Sequence, residues 1–108
     1  MKGLNKVTLI GHLGRKPEAR KVKEDLSVSH VAIATTEMYR DVNGKVQTQT
    51  DWHNLVLWGK LSAIAEKYLD KGNLVYIEGR LKNRSYQDKS GCRKVVSEVI
   101  VEQILMLK

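Results

Sequence analysis

The stretch D-W-H-N-L-V-L-W-G-K-L-S-A-I-A-E-K-Y-L-D, residues 51–70, changes its hydrophobic period in the middle. From 51 to 59 the side chains alternate, with Leu55 and Leu57 on one side and Trp52 and Trp58 on the other, which predicts a strand. From 60 to 70 an apolar stripe recurs every three or four residues, which predicts an amphipathic helix. The stripe, which we expect to face the core, consists of Leu61, Ile64, Ala65, Tyr68 and Leu69. A strand therefore runs directly into a helix.

Four further strands flank this pair. Their predicted bounds are 6–13, 27–39, 74–87 and 95–101. Asn43-Gly44 is a strong turn signal inside a polar hairpin loop, 41–50, and Gly72 is placed to end the helix. We expect the basic stretch 15–23 to be a loop, and 88–91 to be a turn between the last two strands.

The resulting order is strand, strand, strand, helix, strand, strand within 108 residues. This order predicts a mainly all-β fold, the five-stranded Greek-key barrel called the OB-fold, with one helix between strands 3 and 4 that covers an end of the barrel. An SH3-like barrel is disfavoured, because it has no need of such a helix. No repeat or linker divides the chain, so we expect a single domain, 1–108.

The charge balance is strongly basic, with 19 Lys and Arg against 12 Asp and Glu and a formal net charge of +7. Such a domain is a candidate for binding a polyanion, although a solvated basic surface is the competing interpretation. The single cysteine, Cys92, excludes an intramolecular disulfide and a thiolate metal cluster within one chain, and it fits a reducing, intracellular setting. No signal peptide or membrane span is visible, and we expect a cytoplasmic protein.

Aromatic and basic residues share outward positions on two strands. Trp52 and Trp58 point away from the leucines of strand three, about 20 Å apart at ~3.3 Å per residue. In strand four the outward positions carry three cations and a ring, namely Arg80, Lys82, Arg84 and Tyr86. Cations for phosphates and rings for bases are what single-stranded nucleic acid requires. Each tryptophan taken alone would favour a packing role, but the joint pattern favours a binding face.

Three segments, at 5–20, 50–60 and 68–81, resemble the bacterial and mitochondrial-type single-stranded DNA-binding proteins. They read N-K-V-T-L-I-G-H-L-G-R-K-P-E-A-R, T-D-W-H-N-L-V-L-W-G-K and Y-L-D-K-G-N-L-V-Y-I-E-G-R-L. The resemblance covers nearly the whole chain. It implies a homotetramer of OB-folds that wraps single-stranded DNA during replication, recombination and repair, associated with the nucleoid and without a cofactor.

The resemblance also implies site residues. It assigns stacking to Tyr39, Trp52, Trp58 and Tyr86, although the family often has Trp at the two tyrosines and Phe at Trp58. The predicted DNA-binding set is Tyr39, Lys45, Trp52, Trp58, Lys60, Lys71, Arg80, Lys82, Arg84 and Tyr86. The predicted subunit interface is Val7, Leu9, His53 and Tyr76, where His53 matches a position linked to tetramer assembly. Bacterial members usually continue into an acidic-tipped tail that recruits replication and repair proteins. The sequence ends at Lys108 without such a tail, so these proteins stay possible partners, but recruitment through a tail is not part of the prediction.

Catalysis is disfavoured. His12, His30 and His53 have no metal-ligand spacing, the acids are scattered, and Gly11 and Gly14 read as turn glycines and not as a phosphate-binding loop. We therefore expect no catalytic residue and no metal. Two other OB-fold alternatives stay open, namely a dimeric interaction module of the replication-restart type and an RNA-binding module.

Overall fold

The computed structural model describes residues 3–108 of the chain. Within this range the chain forms six strands and one helix. The strands are β1 Val7–Leu13, β2 Arg20–Lys23, β3 Leu26–Arg40, β4 Val46–Trp58, β5 Leu74–Gln87 and β6 Arg93–Met106, and the helix is α1 Lys60–Tyr68. Met1 and Lys2, at the start of the predicted 1–108 domain, lie outside the described residues.

Five of the strands close into a barrel. β1 pairs antiparallel with both β3 and β5, β3 pairs antiparallel with β4, and β6 pairs antiparallel with β5. The circle is completed by a parallel pairing of β4 with β6 through Leu55 and Val99. The order β1-β3-β4-β6-β5 therefore returns to β1 with no open edge, which confirms the OB-fold predicted from the element order.

The barrel core is built from the inward residues of these strands, and α1 covers one end of it. Ala65 and Leu69 of the helix segment join the buried cluster. The expectation that Tyr68 belongs to the core is wrong, because its side chain is 62% exposed. Ser62 is buried instead, where its hydroxyl lies 2.6 Å from that of Ser29 on β3. Each of these two buried hydroxyls therefore has a hydrogen-bond partner, and Ser62 can face the barrel without an unpaired polar group.

Two predicted loops are strands in the structure. Arg20–Lys23, within the predicted basic loop, forms β2 along the edge of β3, where Arg20 lies opposite Val28. β4 begins at Val46 and not at Asp51, because Val46 to Thr50 continue the pairing with β3 as far as Arg40. Both segments are exposed and mostly polar. Their pairing comes from a neighbouring strand, which local hydrophobic periodicity does not report.

The β3–β4 hairpin tip is anchored by one carboxylate. Asp41 Oδ1 accepts hydrogen bonds from the backbone amides of Asn43, at 2.9 Å, and Lys45, at 3.0 Å. A hydrogen bond from the side chain of Gln47 and these amides lower the pKa of Asp41. The loop is thus limited to a few residues, and β3 and β4 extend well beyond the barrel.

The last strand is also longer than predicted. β6 runs from Arg93 to Met106 and includes the apolar finish at 104–107 almost entirely. It pairs with β5 along nearly the whole of both strands, with a register shift between Glu78 and Gly79. β5 and β6 therefore form a second hairpin that projects from the barrel beside the first.

Candidate nucleic-acid interface

Strand register places the tryptophans and the cations of β5 on one continuous surface, which we call the outer face. It consists of the outward-pointing residues of β3, β4, β6 and β5. Trp58 lies opposite Val28 and Trp52 opposite Ala34, and residues paired directly across strands project to the same side. Val56 of β4 lies opposite Ile100 of β6, and Ile100 lies opposite Arg80 of β5. The outward residues of β4 and β5 are therefore connected through β6.

Three rings of the outer face are half exposed. The exposed fractions are 59% for Trp52, 44% for Trp58 and 47% for Tyr86. The indole of Trp52 rests on Gly14, because a Cβ at Gly14 would lie only 2.7 Å from its Cζ3 atom. Each ring therefore keeps part of its surface open to solvent, and a flat apolar ligand can stack on it.

The cations of β5 lie beside one of these rings. Arg80, Lys82 and Arg84 are all exposed. The guanidinium of Arg84 lies 5.9 Å from the centroid of the Tyr86 ring, and its Nε donates a 2.8 Å hydrogen bond to Oε1 of Glu98 on β6. Glu98 raises the pKa of Arg84, so this arginine stays charged at any physiological pH.

A groove on the outer face extends from the loop before β2 across β3 to β4 and β6. Two cavities of about 390 and 350 Å³ form it, and both are lined by Arg15 and His30. Arg15 donates a hydrogen bond to the backbone carbonyl of His30, which holds the loop before β2 over β3. The other polar lining residues are Glu18, Arg20, Asn54, Arg84 and Glu98.

Most of this groove was not predicted from the sequence. Arg15 and Arg20 belong to the stretch predicted to be a loop, and the predicted DNA-binding set does not include His30, Asn54 or Glu98. His30 does share the outward parity of its strand, which was the available signal. Its proximity to Glu98, whose Oε2 lies 3.8 Å from His30 Nδ1, depends on a strand pairing that the sequence does not reveal.

Four predicted DNA-binding residues lie away from the outer face. Tyr39 is 51% exposed but belongs to the opposite parity of β3 from Ala34, the partner of Trp52, so it occupies the other side of the hairpin. Lys45 is exposed at the hairpin tip, Lys60 begins α1, and Lys71 lies in the turn after it. Their roles stay predictions.

The residues predicted for a subunit interface fall into two groups. Val7 and Leu9 are half buried and pack against the core of their own chain, which accounts for their apolar character without a partner. His53 is half buried, with Nε2 2.9 Å from Thr35 Oγ1. The interface roles of Val7, Leu9 and His53 are not tested by a single chain.

Tyr76 lies in an outward apolar row that crosses β1, β5 and β6. Its neighbours in register are Ile10 and Leu105, which are 54% and 50% exposed. The Tyr76 hydroxyl donates to Oε1 of Glu78 at 2.7 Å, which raises the pKa of Tyr76 and lowers that of Glu78. We call Ile10, Tyr76 and Leu105 the apolar row.

Residues 3–108 contain no group of three or more His, Cys, Asp and Glu side chains arranged to hold a metal ion. Among the same residues, no helix has the length and apolar character needed to cross a membrane.

Comparisons with known proteins agree on one family. The model of the single-strand binding protein family matches residues 4–107. The chain is 48% identical over 107 residues to single-stranded DNA-binding protein 1 of Chlorobaculum tepidum, covering 98% of this chain and 66% of that protein. It is 43% identical over 104 residues to a single-stranded DNA-binding protein of Neisseria meningitidis, covering 96% and 60%. The chain thus spans less than two thirds of the length of these relatives.

A solved structure is similar over the whole fold. It is described as a Plasmodium falciparum SSB complex with ssDNA, and it superposes with a TM-score of 0.89 at 32% sequence identity. The match covers 100% of this chain and 98% of the other.

Proposed function

Because this chain belongs to the single-strand binding protein family, we propose that it binds single-stranded DNA without sequence preference. The observation that carries the proposal is the outer face, where three half-exposed rings and three exposed cations share one surface. Every base has a π-face that can stack on a ring, and every nucleotide carries a phosphate, so neither contact reads the sequence. A duplex, whose bases are already stacked, does not offer those faces.

The residues divide the work by their chemistry. Trp52, Trp58 and Tyr86 stack on bases, and Arg80, Lys82 and Arg84 contact phosphates. The groove cations Arg15 and Arg20 add positive charge beside His30 of β3. Contacts of Tyr39, Lys45, Lys60 and Lys71 would extend the path of the strand around the barrel.

We further propose that the protein acts by binding and not by catalysis. It would cover single strands exposed during replication, recombination and repair, in the cytoplasm next to the nucleoid. The family match supports this role, as do the relatives named for single-stranded DNA binding. The outer face offers rings for stacking and cations for phosphates, and both of these act by binding.

The active form is proposed to be a homotetramer. The apolar row supports self-association, because it places Ile10, Tyr76 and Leu105 side by side on an outward surface. We expect light scattering coupled to size exclusion to give the mass of four chains, and Ile10→Asp to lower it. A mass of two chains would instead favour the dimeric interaction module.

Titration with oligo(dT) tests the binding proposal. We expect tryptophan emission to be quenched on binding, because Trp52 and Trp58 stack on bases. The binding constant should fall with salt, and the three β5 cations alone predict a slope of about −2 in log K against log salt, which further phosphate contacts would steepen. Lys82→Gln should make this slope shallower by about 0.7, because one contact is lost.

Matched homopolymers provide the controls. Oligo(dA) and oligo(dC) should bind within about one order of magnitude of oligo(dT), because stacking is sequence-tolerant. Oligo(U) tests the RNA-binding alternative, since only contacts to the 2′-hydroxyl would favour it. Unchanged emission at saturating oligo(dT), or a salt-independent constant, would refute the assigned face.

A further inference from the structure

A buried acid lies in the middle of the cationic outer face. Glu98 is only 6% exposed, and its neighbour in register on β5 is Lys82. Buried carboxylates are rare unless they are paired, because desolvation of the charge is costly. A negative charge here also repels a polyanion. A face that relied on charge alone would therefore bind DNA better without Glu98.

The contacts of Glu98 suggest what it contributes. Its Oε1 accepts from Arg84 Nε at 2.8 Å, while the terminal nitrogens of Arg84 make no hydrogen bond to the described residues 3–108. A guanidinium is planar and has five donors in fixed directions. With Nε engaged, the two terminal nitrogens form a free edge of the kind that grips a phosphate with two parallel hydrogen bonds.

We propose that Glu98 is a positioning residue for DNA binding: it holds Arg84 through Nε so that the free guanidinium edge meets a phosphate while the adjacent Tyr86 ring receives a base. The proposal rests on the proposed function. Arginine is a flexible side chain, and fixing it before the ligand arrives moves the loss of rotamer freedom from binding to folding. The guanidinium of Arg84 lies 5.9 Å from the centroid of the Tyr86 ring, so a phosphate and its neighbouring base can meet the two groups together.

Two substitutions of equal charge separate positioning from repulsion. Glu98→Gln and Glu98→Leu both remove one negative charge, but only glutamine keeps an oxygen that can accept from Arg84 Nε. We expect the Leu variant to bind labelled oligo(dT) about fivefold more weakly than the Gln variant. In an Arg84→Met background this ratio should fall to one. Glu102→Gln, an exposed acid on the same strand, should stay within about twofold of wild type.

Each outcome decides the proposal. Equal affinities of the Gln and Leu variants would overturn it, because Glu98 would then act only as a charge. A difference in affinity between the Gln and Leu variants that persists with Arg84→Met would also overturn the proposal. Glu98 would then affect binding by stabilising the fold and not by orienting Arg84. If Glu98→Leu does not fold, Arg84→Lys takes its place. Lysine keeps the charge but lacks the planar fork, and an affinity unchanged from wild type would refute positioning.

The wild-type titration keeps this question separate from the proposed function. Wild-type protein that fails to bind oligo(dT) refutes the proposed function and the inference together. Wild-type protein that binds while the Gln and Leu variants behave alike refutes the inference only.

Discussion

The double substitution Trp52→Ala and Trp58→Ala lowers the affinity for oligo(dT) by about 30-fold or more. Stacking of a base on a ring contributes about 1–3 kcal/mol, so two rings account for at least about 2 kcal/mol. Both indoles are exposed enough to be stacking platforms, at 59% and 44%. The chain has two tryptophans in all, so the double variant has no intrinsic tryptophan signal. Anisotropy of a labelled oligonucleotide is therefore the suitable measurement.

Two controls make the result specific to the outer face. Tyr68→Ala removes a ring that is 62% exposed on α1, away from the outer face, and should leave affinity unchanged. Replacing both tryptophans by phenylalanine keeps two smaller rings and should cost less than the alanine pair. Thermal melts must show that the alanine variant is folded, since Trp52 also packs on Gly14. A folded alanine variant that binds within about threefold of wild type would mean that the strand follows another path.

The sequence predicted those strands and the helix whose buried residues recur at the regular spacing of the element. The pattern of 51–70 gave both a strand and a helix, and the element order gave the barrel. Local signals did not identify β2 or the first part of β4, since Arg20 and the polar residues 46–50 are held in strands by pairing with β3. The same limit applies to Tyr68, because contacts with distant strands, such as that of Ser62 with Ser29, decide which face of the helix meets the barrel.

The sequence predicted which residues of β4 and β5 point outward, but it did not predict the groove between the strands. Alternation alone puts Trp52 with Trp58, and Arg80 with Arg84, on outward positions. Joining the two pairs requires the parallel contact of β4 with β6, which long-range pairing decides. Alternation also shows that Tyr39 has the opposite parity to Ala34, whereas the family resemblance placed it with the other stacking residues.

Gly79→Ala destabilises the barrel by about 3 kcal/mol or more, the second large effect that we expect. A Cβ at Gly79 would lie 2.2 Å from the backbone oxygen of Ile100 and 3.0 Å from its carbonyl carbon. Gly79 sits at the register shift in β5, where that strand pairs with both β1 and β6. Backbone surrounds the position, so relief requires strands to separate and not merely a side chain to rotate.

The melting temperature measures this effect, because a loss of that size lowers it by roughly 10–20 °C in a domain of this length. Gly44→Ala is the matched control. Gly44 has φ of 80° but no atom within 4 Å of a built Cβ, so it tests backbone strain without a clash. Strain of that kind costs about 1–2 kcal/mol, which predicts a smaller shift. If Gly79→Ala melts as wild type does, β5 and β6 can part at this point without opening the barrel. The outer face would then not depend on the close approach of Gly79 to Ile100 for its shape.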